Sequence, residues 1–389
     1  LVAVTSSDEV NIVACQVCYS MFRTPTKIAR IRSSAYLNQN ALFNNHHVPI
    51  DRLINPEQVV TEQITELLSH PGALEVLDFA DGRVQLVAMR AYLGGPLVGQ
   101  ALRFLSEHMP GVDTRVAAIF RRGQPIIPSG ETVIETDDEV FFIAAREHIT
   151  AVMGELRKAQ KPFRRIIIAG GGNIGARLAA ATEDSYDVRI MELNPQRAQG
   201  LADQLNAAVV IQGSATDREL LLEENIDQCD AFCAVTDDDE INVMSSLMAK
   251  RLGVRQVFTL IGKTAYVDLL QGGEIDVAIS PQQATIGTLL SYVRRADVAK
   301  VHSLRRGAAE AMEAIAHGDR KSSKVVGRRI NEIKLPPGAT IGAIVRDDNV
   351  LIAHDDVIVE SDDHVILFLV DKGQIGAVER LFQVGLTFF

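Results

Sequence analysis

The sequence predicts an α/β protein made of tandem Rossmann-like, doubly wound parallel sheets, the first of them incomplete, each followed by a small α+β lobe. Two patterns lead to this fold class. Residues 164–297 alternate short Val- and Ile-rich segments with helical patterns, as in a parallel sheet covered by helices. Residues 299–389 place strand-like segments only a few residues apart, which requires antiparallel pairing. The composition is that of an ordinary globular protein, with 47% hydrophobic and 23% charged residues. At 389 residues the chain is too long to fold around a single hydrophobic core, so we expect more than one domain.

An internal repeat extends this organisation to the first half of the chain. The residues AVTSSDEVN at 3–11 return as AVTDDDEIN at 234–242, with six of the nine positions identical. Later pairs of similar segments keep the same order, such as DDEVF at 137–141 and DDHVI at 362–366. Chance similarity would not preserve this order, so we infer a duplication. About 68 residues at the start of the second copy have no counterpart in the first, and we expect the natural chain to begin about that far upstream.

The repeat predicts four domains. The C-terminal half of a first nucleotide-binding domain is expected at 1–55, a first lobe at 74–158, a complete nucleotide-binding domain at 163–280 and a second lobe at 299–384. The complete nucleotide-binding domain has strand-like segments at 165–169, 188–192, 208–212, 231–235, 256–261 and 276–279. The second lobe is expected to have a helical stretch near 308–316 and strands at 340–345, 350–353 and 364–369.

A glycine-rich turn is the strongest functional signal. The predicted strand at 165–169 leads directly into a GxGxxG motif at 170–175, which we call the glycine loop, and a predicted helix at 176–183 follows it. A lone GxGxxG is weak, but here it has the strand before it and the helix after it that a dinucleotide site requires. Gly170 permits the tight turn, Gly172 lets a pyrophosphate approach the backbone, and Gly175 allows close packing of helix on strand. The alternative is that the glycines serve only this packing.

An acidic residue completes the dinucleotide fingerprint. Glu192 lies 22 residues after Gly170, at the end of the second predicted strand of this domain. A carboxylate at this position can accept hydrogen bonds from ribose hydroxyls and would repel a 2′-phosphate. The sequence therefore favours NAD over NADP.

Polar residues at other strand ends are expected to line the same crevice, because the carboxyl ends of parallel strands share one edge of the sheet. These residues are Asp217 after the third strand, and Thr236 and Asp237 after the fourth. The alternative is that Thr216 and Asp239 simply cap helices there. In the first copy, Thr5 and Ser6 occupy the positions of Thr236 and Asp237, and Arg30 on the next strand could pair with phosphate or could simply be solvated.

Charge and composition exclude several other classes of function. The net charge of −11 offers no general attraction to nucleic-acid phosphates. The four cysteines are too few for a disulfide framework and suggest a reducing compartment. Cys15 and Cys18 fall in a predicted helix at 9–22, where the repeat has Ser246 and Ala249, so we interpret them as packing residues. His46 and His47 lie in a polar loop without further ligands at metal spacing.

The size of the second lobe favours a sensor over an enzyme. A dehydrogenase needs an acid or base held over the nicotinamide, usually by a sizeable substrate domain, whereas this lobe has only about 90 residues. Its histidines have no counterparts in the first lobe. A protein that binds a nucleotide without reacting it can use the binding only to bias a conformational equilibrium. An NAD-dependent dehydrogenase and a cytosolic nucleotide-sensing scaffold remain as alternatives.

Several motifs together resemble one known family. A GxGxxG unit ends in AVTDDDEIN at 234–242, and the following lobe contains a VxGxxxxEI pattern at 325–333 and a GAIVR segment at 342–346. This arrangement resembles the regulator-of-potassium-conductance (RCK) domains, and two such units in one chain resemble the regulatory subunits of Trk-type potassium uptake. One departure is Ser214, where the family often has Asp after the third strand.

The resemblance implies a non-enzymatic regulatory protein on the cytoplasmic side of the inner membrane. Its partner would be a membrane potassium-uptake subunit of the Trk type, and its own copies would form a ring, as a tetramer. Its ligand would be NAD or NADH, with ATP and ADP as competing candidates. By motif position, the first site would contain Thr5, Ser6 and Arg30. The second site would contain Gly170, Gly171, Gly172, Asn173, Ile174, Gly175, Glu192, Asp217, Thr236 and Asp237.

Overall fold

The chain begins with a small parallel sheet. The computed structural model describes residues 1–157, 160–263, 273–294, 297–304 and 308–383. Its first three strands pair in the order β1-β2-β3, all parallel, and helix α1 follows β1 with Ser7 as its N-cap. The elements of this segment are β1 (Val2–Ala3), α1 (Asp8–Phe22), β2 (Ile28–Arg30), α2 (Ser34–Leu37), β3 (Arg52–Ile54) and α3 (Pro56–Ser69).

The first lobe is an antiparallel sheet, as the repeat predicts from the second lobe. Its strand order is β4-β5-β8-β6-β7, and each neighbouring pair is antiparallel. Its elements are β4 (Ala73–Phe79), β5 (Val84–Arg90), α4 (Leu105–His108), β6 (Thr114–Arg121), β7 (Gln124–Ile126), β8 (Glu139–Ala145) and α5 (Ile149–Gly154).

A doubly wound parallel sheet follows, and it confirms the predicted fold class. Its order is β11-β10-β9-β12-β13-β14, with every neighbouring pair parallel. The order reverses between β9 and β12, which creates the crevice where such sheets bind ligands. Its elements are β9 (Arg165–Ala169), α6 (Asn173–Thr182), β10 (Asp187–Glu192), α7 (Pro195–Gln204), β11 (Val209–Gln212), α8 (Arg218–Glu223), β12 (Ala231–Ala234), α9 (Asp239–Arg251), β13 (Gln256–Leu260), β14 (Val277–Ile279) and α10 (Pro281–Val293).

The second lobe repeats the antiparallel plan in the order β15-β16-β19-β17-β18. The helix predicted near 308–316 is wrong, because β16 occupies this segment between β15 and β19. Alanine favours helix in isolation, but here the segment is buried on both faces and tertiary packing overrides the preference. The elements are β15 (Val298–Leu304), β16 (Ala309–Ile315), β17 (Ala339–Arg346), β18 (Asn349–Ile352), β19 (His364–Leu369) and α11 (Ile375–Phe382).

The described residues group into two compact units. One unit joins residues 1–65 to 164–289, and therefore contains both parallel sheets. The other joins residues 66–163 to 290–389 and contains both lobes. Every helix in the described part of the chain is too short or too polar to span a lipid bilayer.

The two lobes share one hydrophobic core. Phe141 of β8 and Phe368 of β19 are at most 2% exposed, and their ring centroids lie 5.6 Å apart. The repeat is also visible in matching hydrogen bonds: Arg121 binds Asp138 in the first lobe as Arg346 binds Asp363 in the second. The second of the two compact units is therefore a pair of like lobes packed face to face.

Candidate functional site

The glycine loop joins β9 to α6 at the reversal point of the parallel sheet. Gly170 has a φ of 109°, a conformation that favours glycine, and a Cβ there would lie 2.9 Å from Thr236. A Cβ on Gly175 would overlap the carbonyl oxygen of Gly170. Gly172 is the N-cap of α6 and provides no side chain to the first helical N–H groups, while space around its Cα is open. These N–H groups can therefore receive an anion.

Glu192 is fixed at the end of β10, directly beside the glycine loop. The residue is 6% exposed. Its Oε2 accepts a hydrogen bond from the Gly171 backbone N–H at 3.0 Å, and its Oε1 accepts one from the Asn194 N–H at 2.7 Å. A carboxylate oxygen can accept more than one hydrogen bond, so ribose hydroxyls could still bind here. Glu192 thus braces the loop and also presents a carboxylate to the crevice.

Thr236 is held in place by a buried asparagine. Asn242 is fully buried, and its Oδ1 accepts hydrogen bonds from the Thr236 backbone N–H at 2.8 Å and from the Thr236 hydroxyl at 2.7 Å. The Asn242 amide donates to the carbonyl oxygens of Thr236 and Leu260, both at 3.0 Å. The Thr236 side chain therefore has a structural role next to Gly170. Asp237, the next residue, is exposed at the same edge.

Helix caps account for two of the acidic positions. Asp217 is the N-cap of α8, and its carboxylate accepts the backbone N–H groups of Glu219 and Leu220. The alternative that Thr216 caps this helix is therefore wrong, because the cap is the next residue, Asp217. Asp238, and not Asp239, caps α9. Asp217 therefore lies at the same edge of the sheet as the other candidates, but its carboxylate is already hydrogen-bonded to the N-terminus of α8.

The first copy reproduces the Thr–Asn arrangement. The Thr5 N–H and hydroxyl donate to Asn11 Oδ1 at 2.9 and 2.8 Å, and the Asn11 amide donates to the carbonyl oxygen of Arg30. Arg30 folds back so that Nη2 donates to the Thr5 carbonyl oxygen at 2.7 Å. Its guanidinium is therefore not simply solvated. Ser6 is exposed beside it.

Sequence reasoning missed two parts of the site. Asn11 and Asn242 recur at the same place in both copies, and this recurrence was the available signal for their buried role. No local pattern could indicate the second part, a contact between the first parallel sheet segment and the glycine loop. There Asn173 Nδ2 lies 3.4 Å from Glu57 Oε1, and Glu57 is 5% exposed and ion-paired with Arg32.

The remaining sequence candidates have structural environments. Cys15 is fully buried, and burial raises the pKa of its thiol. Burial also raises the pKa of Cys229 to about 12, so this thiol stays protonated and unreactive at neutral pH. His47 Nδ1 contacts the side chain of Asn44. The described part of the chain contains no group of three or more His, Cys, Asp or Glu residues that could hold a metal ion.

Comparison with known proteins assigns the chain to a family. Residues 166–281 match the TrkA-N domain, and residues 86–157 and 320–383 each match the TrkA-C domain. The chain is 66% identical to the Trk system potassium uptake protein TrkA of Halomonas elongata, covering 100% of this chain and 85% of that protein. It is 49% identical to the protein of the same name from Haemophilus influenzae, with the same coverage.

Solved structures share the fold at low sequence identity. The crystal structure of the GsuK RCK domain matches with a TM-score of 0.56 and 19% identity, covering 98% of this chain and 80% of that one. The GsuK channel bound to NAD matches with a TM-score of 0.56 and 18% identity, covering 98% of this chain and 66% of that one. These matches confirm the predicted RCK-like fold, and the two TrkA-C matches confirm the repeat. By its sequence identity along its whole length, the chain belongs to the family of the Trk system potassium uptake protein TrkA.

Proposed function

We propose that this chain is a non-enzymatic regulatory subunit of a Trk-type potassium-uptake system. It binds NAD or NADH, in competition with ATP and ADP, at the carboxyl edge of the second parallel sheet. It lies on the cytoplasmic side of the inner membrane, where it assembles as a homo-oligomeric ring, a tetramer, on the membrane-embedded uptake subunit. We propose four domains with the bounds predicted from the sequence, 1–55, 74–158, 163–280 and 299–384. Binding favours one conformation, and the partner responds to the resulting shift in population.

One observation carries the nucleotide part of this proposal. At the glycine loop, an N-cap without a side chain lies beside a carboxylate that is 6% exposed and hydrogen-bonded to the loop itself. The helix terminus suits a pyrophosphate and the carboxylate suits ribose hydroxyls. Family membership supports the potassium-uptake part, since the relatives are named for that system.

The nucleotide part is tested by Gly172→Asp. Open space surrounds this position, and an aspartate at an N-cap accepts the same N–H groups that a phosphate would need. We expect calorimetric affinity for NAD, NADH, ATP and ADP to fall at least about 10-fold while the melting temperature is maintained or rises slightly. Gly154→Asp is the matched control, because it adds the same charge at another open position, in α5. Unchanged affinity in Gly172→Asp would contradict the site.

The transport part is tested by potassium flux. Proteoliposomes containing the membrane subunit should show flux that depends on nucleotide only when the wild-type chain is added, and Gly172→Asp should remove this dependence. If the chain binds nucleotide but no polytopic membrane protein co-purifies with it, the result would favour the alternative of a cytosolic nucleotide-sensing scaffold. Turnover of NAD with a small substrate, dependent on a His or Lys, would favour the dehydrogenase.

A further inference from the structure

An exposed leucine marks the rim of the crevice next to Glu192. Leu193 follows β10 directly and is 67% exposed, whereas Glu192 before it is 6% exposed. Leu193 precedes the N-cap Asn194, at a position where an apolar residue commonly packs onto the fourth residue of the helix. That fourth residue, Ala198, is buried without covering Leu193. The leucine is therefore not used to fix the start of α7.

Arg197 lies on the first turn of the same helix and points toward Glu192. Its Nη1 is 3.5 Å from Glu192 Oε2, and its side chain is 57% exposed. The shorter hydrogen bonds of Glu192 go to the backbone N–H groups of Gly171 and Asn194. An exposed ion pair of this length contributes little to stability. The fold around Glu192 therefore does not depend on Arg197, and the guanidinium is available to a ligand.

We propose that Arg197 stacks on the adenine base of the bound nucleotide, with Leu193 as the apolar wall beside it. This inference rests on the proposed function, because it requires a ribose on Glu192. A ribose held there places its base just beyond the carboxylate, where the guanidinium lies. A planar guanidinium can stack face to face on a flat π-system, whereas a lysine ammonium is a compact, strongly hydrated point charge with no planar face. Arg197 is thus a specificity residue for the base, separate from the phosphate contacts of the glycine loop.

The test compares Arg197→Ala and Arg197→Lys by calorimetry with two probes, ADP and inorganic pyrophosphate. Loss of base stacking should weaken ADP binding by about fivefold or more in both variants, with pyrophosphate affinity unchanged. Leu193→Ser should also weaken ADP binding, without an effect on pyrophosphate. The matched control is Arg251→Ala, which removes another exposed arginine with a long ion pair. Arg251 is the last residue of α9, at the end of that helix away from the crevice. Circular dichroism and melting temperature should be unchanged in all of these variants.

Three outcomes would overturn the inference. Wild-type ADP affinity in Arg197→Ala would show that Arg197 does not contact the ligand. Full affinity in Arg197→Lys would show that charge alone is needed, and an equal loss for pyrophosphate would place the guanidinium on phosphate. In each of these cases the proposed function still stands if Gly172→Asp weakens ADP binding by at least about 10-fold. If the wild-type chain binds no adenine nucleotide, the proposed function and this inference both fail.

Discussion

At the scale of single residues, the glycines of the glycine loop have different structural roles. Gly175 packs against the loop itself, so that a Cβ would overlap the Gly170 carbonyl oxygen, whereas Gly172 has open space. The spacing of the motif in the sequence predicted this division, because the third glycine of such a loop ordinarily serves helix–strand packing.

We therefore expect opposite results from two alanine substitutions. Gly175→Ala should lower the free energy of unfolding by about 1–3 kcal/mol, because the added methyl group forces the backbone apart. Gly172→Ala should change it by less than about 0.5 kcal/mol, since nothing lies within reach of its Cβ. Urea denaturation of both variants measures the difference. Equal stabilities would show that the loop relaxes freely around Gly175.

Asn242 is the polar residue on which the strand end at Thr236 depends. Its side chain makes four hydrogen bonds in a fully buried position, two of them to the Thr236 carbonyl and backbone N–H. We expect Asn242→Ala to lower the free energy of unfolding by about 2–4 kcal/mol, because it leaves buried backbone groups unsatisfied. Ser245, also buried in α9, offers a comparison: Ser245→Ala removes only one hydrogen bond, at 3.2 Å, and should have a smaller effect. A small loss for Asn242→Ala would indicate that water replaces the amide.

The sequence could predict which residues meet at the site, but not what each side chain does there. Position along parallel strands places Glu192, Asp217 and Thr236 at one edge, and the structure does the same. Their hydrogen bonds depend on local neighbours: Asp217 caps its own helix, and Thr236 bonds to Asn242, for which the recurrence in both copies was the only sequence signal. The role of each side chain at this edge depends on whether its oxygen atoms bond to groups of the protein or remain able to bind a ligand.

At the scale of elements, β16 shows why a local pattern can mislead. Its alanines have high helix propensity, yet small side chains suit a central strand that is buried on both faces. Ala309 and Ala311 contribute to the core shared by the two lobes, whereas Met312 and Ala314 contribute to the second lobe's own core. Only the presence of packing partners on both sides reveals the strand, and these partners are distant in sequence.

One histidine connects the ends of three strands of this lobe and gives it a pH dependence. His317 follows β16, and its ring nitrogens lie 2.7 Å from Asp297, before β15, and 3.0 Å from Asp362, before β19. The hydrogen bond with Asp297 is the main cause that raises the pKa of His317 above its usual value. The resulting stabilisation is complete below the unfolded pKa of about 6.5 and is lost as pH rises through the folded pKa.

We expect the stability difference between wild type and His317→Gln to decrease as pH rises from about 6.5 to about 8.5. Its maximum should be only about 0.5 kcal/mol, because the side chain is 36% exposed and its ion pairs are screened. This pH window also avoids His302. Desolvation lowers the pKa of its imidazole to about 4, so protonation of His302 destabilises the fold only at lower pH. Urea unfolding at several pH values measures the effect. If the stability difference between wild type and His317→Gln does not change with pH, protonation of His317 does not stabilise the fold.

At the scale of the whole molecule, duplication explains why the chain has two parallel sheets and two antiparallel lobes. The sequence predicted two copies and their internal order. It did not predict that residues 66–163 and 290–389 form one compact unit, because the segments that pack together are more than 200 residues apart. Contacts between the lobes include the Ala80 backbone N–H, which donates to Glu313 at 2.8 Å, and His354, which lies 2.8 Å from Asp113. Shape complementarity between two like sheets is a tertiary property that periodicity does not encode.

The shared core should make the two lobes unfold together. Phe141→Ala removes a ring that is 1% exposed and packs against Phe368 of the other lobe, so we expect a loss of about 3–5 kcal/mol in the free energy of unfolding. Hydrogen exchange should then increase in β16 and β19 as much as in β5 and β8, because one core stabilises all four strands. Phe232→Ala is the matched control, since it removes an equally buried ring from the second parallel sheet. Loss of protection in the first lobe alone would mean that each lobe is stable by itself. The pairing of the two lobes would then be a separate, reversible step that a binding partner could shift.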